Sequence, residues 1–138
     1  MFFGKKPSRP QNRIDTLIGA ETRVQGDVTF SGGLRVDGTI LGNVSSRGDG
    51  PSTLVLSENA RIEGSIQVSH VVINGTVIGP VRASEYVELQ PKARVSGDVF
   101  YKTLEMHLGA IVEGKLVHEE GIPVEARVAP SGAIDQSA

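Results

Sequence analysis

Three histidines, His70, His107 and His118, are the side chains in this 138-residue sequence best suited to acid–base chemistry or metal binding near neutral pH. No two of them share the i, i+2 or i, i+4 spacing that presents paired imidazoles to one zinc ion. Cysteine is absent, which removes thiolate ligands, disulfides and a cysteine nucleophile, and mildly favours a reducing compartment. No GxxxxGK[ST] phrase occurs, and Gly32-Gly33 reads as a tight corner rather than a phosphate cradle. The sequence therefore predicts no catalytic, cofactor-binding or metal-ligating residue, and no cofactor. The acids Asp27, Asp37, Glu63, Asp98 and Glu113 recur among Arg23, Arg35, Arg61 and Arg94. The expected arrangement is ion pairing across neighbouring repeats, each exposed pair contributing about 0–1 kcal/mol.

A different chemistry is present at the N-terminus. Met1, Phe2 and Phe3 precede Lys5 and Lys6, with Arg9 and Arg13 beyond and no acid among them. A Phe buried at a headgroup–acyl boundary contributes roughly 1.5–3 kcal/mol, and a basic side chain near an anionic leaflet about 1 kcal/mol. Met1, Phe2, Phe3, Lys5 and Lys6 are accordingly the candidate membrane-binding residues, and an anionic phospholipid membrane is an expected partner. The apolar pair is too short for a signal-peptide core, and no apolar run approaches the length of a membrane span. Gly4 is misplaced for N-myristoylation, which needs Gly at position 2. Net charge is −2, and outside the N-terminal arm the balance is acidic, so nucleic acid is not an expected partner.

These groups must be carried by some scaffold, and the scaffold is legible as a repeat. The phrase apolar–x–Gly–x–apolar recurs as Val24-Gln-Gly-Asp-Val28, Val36-Asp-Gly-Thr-Ile40, Ile62-Glu-Gly-Ser-Ile66, Ile73-Asn-Gly-Thr-Val77, Val95-Ser-Gly-Asp-Val99 and Val112-Glu-Gly-Lys-Leu116. Residues 26–44 and 64–81 are near copies, and 54–64, 87–97 and 104–114 are echoes of one another. Self-similarity at a fixed period marks stacked repeats. Within each copy the apolar residues alternate: Ala60, Ile62, Ile66 and Val68 fall on one parity, and Arg61, Glu63, Ser65 and Gln67 on the other. A period of two is a strand with one dry face. Successive marks at Gly26, Gly42, Gly64, Gly79, Gly97 and Gly114 are 16, 22, 15, 18 and 17 residues apart. Each interval suits one winding of a solenoid with three short faces. The longest contains Ser46-Arg-Gly-Asp-Gly-Pro51, read as a loop thrown out of a corner. The expected fold is all-β: a parallel β-helix, or β-solenoid, of about six windings over residues 14–118. An arm (1–13) and an acidic, Pro-containing tail (119–138) flank it, both read as disordered. The irregular spacing favours a right-handed coil over a strict left-handed hexapeptide helix. A β-sandwich also uses short alternating strands, but does not account for near copies 37 residues apart (Gly38 and Gly75; Gly42 and Gly79).

The first and last windings of such a stack each have one open edge, and no capping repeat is evident. Unpaired apolar strand edges are templates for another chain. The candidate polymerisation residues are Ile14, Leu17 and Ile18 at one end, and Phe100, Leu104, Met106, Leu108, Ile111 and Val117 at the other.

The LxLxxxAxIxG winding at 54–64, its echoes at 87–97 and 104–114, the paired 37-residue units and the Met-Phe-Phe-Gly-Lys-Lys arm together resemble the bactofilins, a bacterial cytoskeletal family. The resemblance covers residues 14–118 and the arm. It implies a right-handed β-helix of six windings, nucleotide-independent assembly into filaments through like-end contacts, and work in cell shape, cell-wall remodelling or placement of appendages. The partners it implies are further copies of the chain, the cytoplasmic face of the inner membrane, and cell-wall-modifying or morphogenesis proteins. The competing class is a trimeric left-handed β-helix enzyme, either a hexapeptide acyltransferase or a gamma-type carbonic anhydrase. Both share Gly-rich apolar repeats and depend on histidines.

Overall fold

The computed structural model describes residues 13–48 and 50–119. Met1, Phe2, Phe3, Lys5 and Lys6, and all but the first residue of the acidic tail, lie outside them. Among the described residues there are sixteen strands and no helix. The first winding is β1 (Thr16–Ile18), β2 (Arg23–Gln25) and β3 (Val28–Phe30); the second is β4 (Gly32–Val36), β5 (Thr39–Leu41) and β6 (Val44–Ser46). The third is β7 (Ser52–Leu56), β8 (Arg61–Glu63) and the start of β9 (Ile66–Ile73). The fourth runs through the rest of β9, β10 (Thr76–Ile78) and the start of β11 (Val81–Leu89). The fifth takes the rest of β11, β12 (Arg94–Ser96) and β13 (Val99–Tyr101); the sixth is β14 (Thr103–Met106), β15 (Ile111–Glu113) and β16 (Leu116–His118).

Every pairing is parallel and joins one winding to the next. The expected solenoid of six windings is therefore the observed fold. One face is a six-stranded sheet in the order β2-β5-β8-β10-β12-β15. The other two faces merge into a ten-stranded sheet because β9 and β11 run around their shared corner without a break. A register shift between Ala83 and Tyr86 marks that corner.

Register stacks like on like. Leu34, Leu54, Val71 and Val87 form one interior column, and Val36, Leu56, Ile73 and Leu89 the next. Ile40, Ile62, Val77 and Val95 line the second face, and Val44, Ile66, Val81 and Val99 the third. All of these side chains are essentially inaccessible, each contributing roughly 1.5–3 kcal/mol of burial. Branched aliphatics suit this narrow bore, and the aromatic Phe30 enters the core in register with the small Ser46.

The corners explain the repeat. At one corner a glycine follows each strand of the six-stranded face. Gly97 has φ +148°, and a Cβ there would run into the carbonyl oxygen of Gly79 one winding below. At the preceding corner, between the first and second faces, four-residue turns alternate with two-residue ones through the fifth winding. Ala60 N–H donates to the Ser57 carbonyl in a long turn, whereas Asn74-Gly75 is short. A Cβ on Gly75 would overlap the Ser57 carbonyl oxygen, so the short turn nests against the long one. Two windings therefore make one sequence unit, which is the 37-residue period.

The ion pairs depart from expectation. Arg35 pairs with Asp37 at 3.0 Å and Arg61 with Glu63 at 2.8 Å, along one strand rather than between windings. Register sets uncharged side chains on the neighbouring rungs, Leu17 and Val55 beside Arg35 and Thr39 and Thr76 beside Arg61, so the acid two residues along the same face is the available partner. Among the described residues Asp27 and Asp98 pair with no arginine; their carboxylates accept the backbone N–H groups of Asn43 and Lys115, each at 2.9 Å.

Candidate functional site

Two features distinguish the surface. The first is the pair of open ends. Among the described residues, nothing pairs with the outer edges of β1, β2 and β3, or with those of β14, β15 and β16. The consequence is visible in the interior columns. Met106 stacks in register on Leu89, and Leu116 on Val99. The lower member of each pair is 0% exposed, but Met106 is 45% and Leu116 41% exposed. The difference is that no further rung lies above them among the described residues, and covering either side chain would contribute about 1 kcal/mol.

The sequence-selected residues divide by register. Leu104 and Met106 belong to the interior columns and face the open end, as does Ile18 at the other end. Leu17, Phe100, Ile111 and Val117 take the alternate, outward parity. They line the side walls next to the ends. Phe100 is half-buried: the Arg82 guanidinium lies 4.2 Å from its ring centroid and bonds both Glu119 carboxylate oxygens, at 2.7 and 2.8 Å. Leu108 is 95% exposed at the tip of a four-residue turn, and Ile14 is 41% exposed just before β1. Leu116, Val24, Val28 and Val112 also contribute to the open ends. Their inward parity hid them, because an alternation rule assigns such residues to the core without asking whether a further winding covers them.

The second feature lies on the outer wall of the first face, between the fifth and sixth windings. Glu88 and Glu105 are register partners. Tyr86 Oη lies 2.7 Å from Glu105 Oε1 and 3.2 Å from Glu88 Oε1. His107 Nε2 lies 3.2 Å from Glu88 Oε2 and 3.2 Å from Glu105 Oε2. Gln90 Nε2 donates to Glu88 Oε2 at 3.2 Å. Burial, followed by the hydrogen bond to Glu105, raises the Tyr86 phenol above its ordinary range, so it stays protonated and donates. Weighing the histidines only against one another missed this group. The repeat carried the signal: Val87-Glu-Leu-Gln aligns with Leu104-Glu-Met-His, which stacks Glu88 under Glu105.

The other histidines stand apart. His70 is 5% exposed, with Nδ1 2.9 Å from the Ser69 hydroxyl. It occupies an outward ladder with Thr53 and Tyr86, both of them also buried. Desolvation lowers its pKa, holding the ring neutral. The His118 ring tilts against Tyr101, with centroids 5.6 Å apart.

Comparison with known proteins places this solenoid. The bactofilin family, described as polymer-forming cytoskeletal, matches residues 16–117, from the first strand almost to the end of the last. Bactofilin BacO of Myxococcus xanthus is 28% identical over 102 residues, covering 74% of this chain and 78% of that protein. Bactofilin BacP of the same organism is 26% identical over 117 residues, 84% of this chain. The chain spans about half of BacP, 47% of its length. No solved structure matches significantly. With six stacked windings and a family match across all of them, the chain belongs to the bactofilins, a polymer-forming cytoskeletal family.

Proposed function

We propose that this chain is a structural scaffold that assembles end to end without nucleotide, through its open terminal windings, into filaments held on the cytoplasmic face of a bacterial inner membrane. The supporting observation is the exposure of Met106 and Leu116 above fully buried register partners, beside three strand edges with no partner among the described residues. A second molecule supplies both the missing hydrogen bonds and the missing apolar cover. Like ends meeting about a two-fold axis give apolar filaments; head-to-tail stacking gives polar ones. The C-terminal end, with Leu104, Met106, Val112 and Leu116, is the more apolar of the two, since Thr16 takes the corresponding place at the other end. This favours pairing of like ends.

Membrane attachment is assigned to Met1, Phe2, Phe3, Lys5 and Lys6. One such arm binds weakly, and a filament carrying many binds tightly. Cell-wall-modifying or morphogenesis proteins are the proposed cargo. The chain acts by assembly and position, in keeping with a cytoskeletal family rather than with the enzyme alternative.

The test is sedimentation and negative-stain electron microscopy of the purified full chain in nucleotide-free buffer. Filaments are expected. Combining Met106→Arg with Leu116→Arg places two charges in the terminal rung and should leave only small species with an unchanged β-sheet spectrum. Filaments that persist in this variant would overturn the assignment of that end, and assembly that requires added nucleotide would overturn the mechanism.

A further inference from the structure

The Glu88–Glu105–His107 cluster plays no part in stacking as proposed above, because its side chains lie on the outer wall. Parallel register sets the two glutamates on adjacent rungs, where like charges directly opposite are destabilising. The described surroundings do not fully neutralise them. Tyr86 has one hydroxyl hydrogen for two carboxylates, Gln90 reaches only Glu88, and imidazole carries a positive charge only when protonated.

The geometry is nevertheless ordered. Tyr86, 9% exposed, engages the Oε1 atom of each carboxylate. That turns the two Oε2 atoms towards His107 Nε2, each at 3.2 Å. A ligand-to-ligand distance of that size subtends about 100° at an ion with bonds of about 2.1 Å, between tetrahedral and octahedral angles. One ligand atom from each residue falls within 4.8 Å of the other two. Rotation of the Glu105 carboxylate, whose side chain is about half exposed, closes the remaining distance. The phenol and the carboxamide then act as outer hydrogen-bond partners that orient the ligands.

We propose that Glu88, Glu105 and His107 bind one divalent transition-metal ion of the zinc or manganese type, completed by water. The imidazole selects against magnesium and calcium, which prefer all-oxygen sites. The ion joins the fifth winding to the sixth and offsets the repulsion between the two glutamates, so it stabilises the rung that forms the open end.

The test uses the full chain, metal-stripped with a chelator, and titrates zinc chloride, manganese chloride and magnesium chloride by calorimetry. Thermal melts are recorded in parallel on the Met106→Arg/Leu116→Arg variant, so that assembly cannot contribute. One equivalent of zinc or manganese should bind and raise the melting midpoint, and magnesium should do neither. His107→Ala and Glu105→Gln should each weaken binding at least tenfold and abolish the midpoint shift, whereas His118→Ala should retain both. Circular dichroism and a cooperative melt without metal show whether each variant is folded. If a variant fails that check, Glu88→Gln takes its place with the same expected loss. Absence of zinc and manganese binding to the parent chain overturns the proposal. So does binding that survives loss of His107 or that disappears in His118→Ala. Neither result bears on whether filaments form.

Discussion

Asp98 Oδ1 accepts the backbone N–H of Lys115, one winding above it, at 2.9 Å. Asp27 does the same for Asn43, and Asn43 in turn for Ser65, so the residue after the corner glycine stitches successive windings. An acceptor oxygen is what this position requires, and a charge is not. Asp98→Asn should therefore be nearly neutral. Asp98→Ala should cost about 0.5–1.5 kcal/mol, by loss of the hydrogen bond itself. Urea denaturation of the two variants beside the parent chain checks this, and equal losses would show that charge, not the stitch, matters.

Gly97 sits where the chain turns with positive φ directly above the carbonyl of Gly79. Gly97→Ala should destabilise by at least about 1–3 kcal/mol, the cost of a disfavoured backbone region, before any clash is counted. Gly50→Ala, with open space around the new Cβ, should lie within about 0.5 kcal/mol of the parent chain, as surface substitutions usually do. Paired thermal melts distinguish the two.

His70 is buried, and desolvation keeps it neutral in the fold, overriding the opposing influence of Glu85. Its proton affinity is thus lower folded than unfolded. Stability is full above the ordinary histidine range near pH 6.5 and falls as pH drops below it, because the unfolded chain takes up the proton first. Urea midpoints at pH 7.5 and pH 5.5 should show this decline. His70→Gln, whatever its stability at pH 7.5, should show a smaller decline over the same interval. A decline of equal size would mean that other groups govern this window.

Phe2→Ser combined with Phe3→Ser should leave the melting curve of the solenoid unchanged and move the protein from pellet to supernatant with anionic liposomes. Two buried phenylalanines contribute roughly 3–6 kcal/mol between them at most, far more than a weak arm can lose. Raising the salt concentration should release the parent protein in part, through screening of Lys5 and Lys6. Unchanged pelleting of the double variant would remove the arm from the anchor.

Much of this molecule is carried by local pattern. Alternation at Ala60, Ile62, Ile66 and Val68 fixes which face of the strand is dry, and the Gly-marked corners fix the count of windings, because from Gly42 onward the backbones there touch and no larger residue fits. The sequence therefore determined the solenoid, its six rungs and the 37-residue unit, while the alternation of long and short turns behind that unit became visible only in the fold. What each rung meets was decided only in three dimensions. Met106 and Leu89 have the same parity and similar chemistry, yet one is exposed and the other enclosed, because burial in a stack depends on a neighbour about seventeen residues away along the chain. Asp27 and Asp98 look like free surface charges until the next winding brings a backbone N–H to them. Glu88, Glu105 and His107 likewise become one cluster only when register sets two rungs side by side.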